Sequence, residues 1–78
     1  MKYPELDAPA FAHRLRATRL KSGLTVPDAA AMCGLPVPTL EAFLYRQQMP
    51  SAPSLFKLVT GLGVSADWLL FGDGDSRG

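Results

Sequence analysis

Residues that could do chemistry are sparse in this chain. His13, the single histidine, has no Ser, Cys or Asp set beside it as a nucleophile or orienting partner, so it reads as a surface or half-buried side chain. Cys33, the single cysteine, stands next to Gly34 and reads as a small core residue rather than a nucleophile or ligand. Gly61-Leu62-Gly63 has the outline of a phosphate loop, yet a lone GxG at a helix end is ordinary C-capping. Asp73-Gly74-Asp75 offers the first acids of a calcium loop without the remaining ligands or the closing Glu, and a solvated tail accounts for it. What remains is charge. Arg14, Arg16, Arg19 and Lys21 follow His13 with no acid among them. Such a run can hold phosphate oxygens, and it describes a solvated helix face equally well. After Leu58 the balance reverses, with Asp67, Asp73 and Asp75 against Arg77.

The elements that must position these residues are short. With 78 residues the chain makes one small domain and buries only ~60–65% of its unfolded surface. Apolar residues at 47% and seven aromatics are too many for a disordered chain, and a net charge of +1 gives no general pull toward nucleic acid. One cysteine excludes a disulfide framework and any Cys-rich zinc site, which fits a reducing cytoplasm. The longest apolar run, Trp68 to Phe71, is far below the ~18–20 residues of a membrane span, and Met1 to Glu5 has no signal-peptide character. No cofactor, metal or small-molecule substrate is expected, and the chain reads as a non-enzyme.

Helical punctuation divides the sequence five times. A first helix is expected from about Pro9 to Ser22, capped by Asp7 or Ala8 and stopped by Gly23, with Phe11, Leu15 and Thr18 on one stripe flanked by Leu20 and Leu24. A second follows Thr25, whose hydroxyl and Asp28 make a capping-box-like pair, and ends at Gly34. A third is expected from near Val37 to about Arg46 with Leu40, Phe43 and Leu44 inward. A fourth follows Ser51 to Leu62, turning Leu55, Leu58, Val59 and Leu62 inward, and a fifth runs from Ala66 to Phe71 after Ser65. The fold class is therefore an all-α, compact five-helix bundle: an extension over residues 1–8, a domain over 9–71, and a disordered tail over 72–78. Leu15, Leu40, Leu58 and Trp68 are expected to be deeply buried. Trp68 to Phe71 cannot all face one core, so Leu70 or Phe71 either packs on the first helix or forms a homodimer contact.

Two very short helices around Gly34, the second followed by a capped helix, make a helix-turn-helix signature. With Arg14-Leu15-Arg16, Arg19, Gly23-Leu24-Thr25, Ala30, Gly34-Leu35, Thr39-Leu40, Pro50-Ser51, Leu62-Gly63-Val64-Ser65 and Ala66 to Gly72, the chain resembles the Cro and phage-repressor (Xre-like) family of DNA-binding domains over about residues 10–72. The resemblance implies a lambda-repressor-like domain and a cytoplasmic, non-enzymatic transcriptional regulator. It would bind duplex DNA as a dimer with the third helix in the major groove. It further implies phosphate contacts from Arg14, Arg16, Lys21, Arg46, Gln47 and Gln48, with Thr25 and Thr39 at the same interface. Val37 and Ala42 would meet thymine methyls, Glu41 a cytosine N4 amine, and Tyr45 a base edge or phosphate.

Departures from the family pattern open a second reading. The second helix opens on Val26-Pro27 and the third on Pro36-Val37-Pro38, where the family has polar groups. None of Val37, Pro38, Glu41, Ala42 and Tyr45 makes the bidentate contact that reads guanine or adenine. The glutamate that the family pairs with the arginine matching Arg19 is Leu44 here, so Arg19 must reach solvent, Glu41 or a backbone carbonyl. Arg46 replaces the family's glycine after the third helix, which should lengthen that helix or strain its end. Val26, Pro27, Pro36, Val37, Pro38, Ala42 and Tyr45 would alternatively form a docking patch for a protein partner.

Overall fold

The structure, a computed structural model, describes residues 6–75 and 77. Most of the expected N-terminal extension (residues 1–5) and positions 76 and 78 of the expected tail lie outside the described residues. The chain forms α1 (Ala8–Ser22), α2 (Val26–Cys33), α3 (Val37–Tyr45), α4 (Ala52–Leu62) and α5 (Ala66–Phe71), and an isolated antiparallel bridge joins Val64 to Arg77. No helix among the described residues is long and apolar enough to cross a membrane.

Local chemistry sets most helix ends. The Asp7 carboxylate accepts from the Ala10 amide at 3.0 Å, making Asp7 the cap of α1. Thr25 Oγ1 accepts from the Asp28 amide at 3.2 Å, and Ser51 and Ser65 do the same for α4 and α5. α1 to α4 each hold a proline in the first turn, where its missing N–H costs no hydrogen bond. The exception is the exit of α3. No glycine stands there; Arg46 caps it at φ −107°, and Gln47 enters the left-handed region at φ 55°. α3 thus stops at Tyr45, and the strain expected at Arg46 falls on the next residue.

Phe11, Leu15, Leu40, Leu44, Leu58 and Leu69 are the large, fully buried side chains at the centre of the core. Trp68, expected among them, is only half-buried, and Leu69 takes the inward position. Successive helical residues point 100° apart, so when Leu69 faces α1 its neighbour must lie at the margin. Leu20 at the end of α1 and Phe56 on α4 are both about two-thirds exposed.

Guanidinium groups stitch the helices together. Arg14 donates from Nε to the Leu69 carbonyl and from Nη2 to the Leu70 carbonyl, both at 2.9 Å, joining α1 to the end of α5. Arg16 donates to the Leu44 carbonyl, joining α1 to the end of α3. In each case a cation meets the negative end of a helix dipole. Arg19, without the family's glutamate, donates to the Leu24 carbonyl at 2.8 Å and leaves its buried Nε without a partner. On the opposite side α2 packs on α4, where Gly61 lies inside the helix against Cys33; Gly63, at φ 68°, is the cap. Burial pushes the Cys33 thiol above its ordinary pKa.

Candidate nucleic-acid interface

The turn between α2 and α3 is built on Gly34, whose left-handed backbone lets the Gly34 and Leu35 amides close on the Ala31 and Ala30 carbonyls at 3.2 and 2.9 Å. α3 rests on α1 and α2 through Leu40, Phe43 and Leu44. Taking 100° per residue, the face opposite those three carries Pro38, Glu41, Ala42, Tyr45 and Arg46, with Thr39 at its edge. Pro38, Tyr45 and Arg46 are exposed, and Thr39 and Glu41 half-buried.

Ala42 lies on that outer face yet is 5% exposed. It does not join the core cluster. Two links pass this position: Arg46 Nη2 reaches back eight residues to donate to the Pro38 carbonyl at 3.2 Å, and the Gln48 amide donates to the Ala42 carbonyl at 3.2 Å. Buried to this degree, Ala42 does not present the expected methyl to a groove.

The expected phosphate contacts divide into two groups. Arg14 and Arg16 are half-buried, with two Arg14 nitrogens and one Arg16 nitrogen donating to helix-end carbonyls, so both brace the fold. Lys21, Arg46, Gln47 and Gln48 are exposed, and the last three are consecutive at the exit of α3. The Gln48 amide closes on the Ala42 carbonyl at 3.2 Å, which curls this connection back beneath α3. Thr25 is exposed with its oxygen committed to the Asp28 amide. Ser51, absent from the expected contact set, caps α4 directly after this connection and is exposed. Pro50-Ser51 signals the cap, while the face it opens on depends on the fold.

The alternative docking patch is thinner than expected. Val26 and Val37 pack against the core and Ala42 is covered, which leaves Pro27, Pro36, Pro38 and Tyr45 exposed. Of the two candidate dimer residues, Leu70 packs on the core and Phe71 remains 36% exposed. A groove of about 230 Å³ between α1 and the α4–α5 connection, lined in part by Thr18, Lys21 and Trp68, includes no residue of α3 or its exit. Groove reading by a helix requires a protruding face, which α3 supplies and that pocket does not.

A family model described as "Helix-turn-helix" matches residues 15–69. Among solved structures, the chain is similar to a hypothetical transcription factor, NHTF, from Neisseria. The two share 25% identity with a TM-score of 0.72, over 91% of this chain and 87% of that one. No curated protein matches the sequence.

Proposed function

The chain belongs to the Xre/Cro-type helix-turn-helix family, and from that premise we propose that it is a DNA-binding transcriptional regulator without catalytic activity of its own. The observation that carries this reading is the exit of α3. There Arg46, Gln47 and Gln48 lie exposed in a row, with Met49 and Pro50 between them and the Ser51-capped start of α4. Basic and amide side chains beside a helix N-terminus form a surface that accepts phosphate oxygens. α3 enters the major groove, which is about one helix wide, while Lys21, Gln47, Gln48 and the N-termini of α2 and α4 hold the flanking backbone. Tyr45 reaches a base edge or phosphate, and Val37, Thr39 and Glu41, all half-buried, lie at the rim of the same face, where Val37 offers only the part of its side chain not packed on the core. Phe71 is the residue through which two copies associate.

A salt titration tests the reading. Duplex binding measured by anisotropy should weaken steeply as salt rises, with a log–log slope of about 0.9 for each phosphate neutralised. Absence of duplex binding at low salt would sink it. In that event the exposed Pro27, Pro36, Pro38 and Tyr45 would favour a protein-docking module, detectable as loss of partner capture when Pro38 is changed to Glu.

A further inference from the structure

The face of α3 that points away from the core has no ordinary base reader. Pro38 and Tyr45 are exposed on it, Glu41 is half-buried, and Ala42 is covered. By position along the helix, that face offers a base only Glu41, whose charge repels phosphate, and the single hydroxyl of Tyr45. The guanidinium of Arg46 changes the inventory. Its backbone caps α3, but its side chain runs back toward the start of the helix and ends at the Pro38 carbonyl. The cation is therefore stored along the groove-facing stripe rather than at its exit.

The tether is weak. It is one hydrogen bond, at 3.2 Å, from an exposed side chain to a neutral carbonyl, at the long end of the normal range. No carboxylate competes for Arg46: the Asp75–Arg77 pair is the only ion pair among the described residues, and Glu41 makes none. Among the described residues Nη2 is the one guanidinium nitrogen of Arg46 with a hydrogen-bond partner, so most of the donor fork is unspent there. Arg14, with two nitrogens engaged, and Arg16, with one, differ in being half-buried and bound to helix-end carbonyls of another element.

We infer that Arg46 is the specificity-determining residue of α3, a guanidinium laid along the recognition face that pairs with the O6 and N7 acceptors of a guanine in the major groove. The inference rests on the DNA-binding reading above and changes one of its assignments, since position alone would put Arg46 on a phosphate. Leaving Pro38 for guanine exchanges one long hydrogen bond for two charge-assisted ones in fork geometry.

The test compares Arg46→Lys and Arg46→Ala with the unaltered chain, using selection from randomised duplexes followed by anisotropy on the selected duplex and on one with the preferred guanine replaced by adenine. Circular dichroism checks folding, and the exposed position of Arg46 makes both variants tolerable. The expected result is a guanine preference of about tenfold or more in the unaltered chain that both variants lose. Arg46→Lys should keep binding to mixed-sequence DNA and keep the salt slope, because it retains the charge without the planar fork. If Arg46→Lys preserves the preference, or Arg46→Ala weakens all duplexes alike while flattening the slope by about one unit, Arg46 is a phosphate contact and the inference falls. If the unaltered chain binds no duplex at low salt, the DNA-binding reading fails first, and the inference fails with it.

Discussion

Gly61 and Cys33 meet backbone to backbone. A β-carbon on Gly61 would lie 2.8 Å from the Cys33 Cα and 2.8 Å from the Met32 carbonyl oxygen, atoms that cannot swing aside. Gly61→Ala should therefore push α4 off α2 and cost about 1–3 kcal/mol by chemical denaturation, as overpacking does. Because α2 supports α3, the same variant should weaken duplex binding without altering any contacting residue. An unchanged midpoint would mean that the two helices have room to separate.

Arg14 and Lys21 are both basic residues of α1, and they should separate cleanly. Arg14→Met removes two hydrogen bonds to carbonyls at the end of α5. It should lower stability by about 1–3 kcal/mol and speed amide exchange in α5, with the salt slope of DNA binding unchanged. Lys21→Met should leave the denaturation midpoint where it is and flatten the slope by about one unit. The opposite pattern would reverse the assignment of brace and contact.

Gln47 occupies a left-handed conformation that costs a non-glycine residue ~1–2 kcal/mol. Glycine removes that cost but frees the unfolded chain by ~0.4–1 kcal/mol. Gln47→Gly should therefore stabilise the domain by about 0.5–1 kcal/mol, read from the denaturation midpoint. If it also reduces duplex affinity, the side-chain amide is a contact, and the strain is retained for its sake.

The Cys33 thiol is buried and its pKa is raised by loss of hydration. The folded state therefore holds the proton at pH values where the unfolded chain releases it. The sign follows: stability is unaffected below the ordinary value of 9.0 and falls as pH rises beyond it. At neutral pH the native protein should resist alkylation, and Cys33→Ala should reduce the alkaline loss. Rapid native labelling would contradict the burial.

Features of the fold written within three or four residues were legible in the sequence. The hydroxyl caps Thr25, Ser51 and Ser65 and the stops at Gly23, Gly34 and Gly63 depend on neighbouring amides and carbonyls, and helix order follows from them. Leu15, Leu40 and Leu58 were readable from periodicity. Arg14 and Arg16 were not, since their acceptors lie 55 and 28 residues away, and a basic side chain facing a carbonyl looks the same in sequence as one facing a phosphate. Ala42 failed for a subtler reason. Its angular position follows from the helix period, but its burial depends on how the residues after the helix fold back, as the Gln48 amide does onto the Ala42 carbonyl. Trp68 yielded to Leu69 because a six-residue helix gives too few positions to fix a phase.

The proline in the first turn of α3 limits how this surface can change over time. Pro38 is tolerated where it stands but would collide with the carbonyl four residues earlier if a full turn were added before it. An insertion between Gly34 and Pro36 could not be absorbed by drawing the helix backward, and a slip of one residue would rotate its outer face by about 100°. The same holds for Pro9, Pro27 and Pro53 at the starts of α1, α2 and α4. Lineages of this chain are therefore free to exchange side chains on α3 but not to lengthen or shorten what leads into it. New binding preferences must arise by substitution, with insertions and deletions confined to the ends.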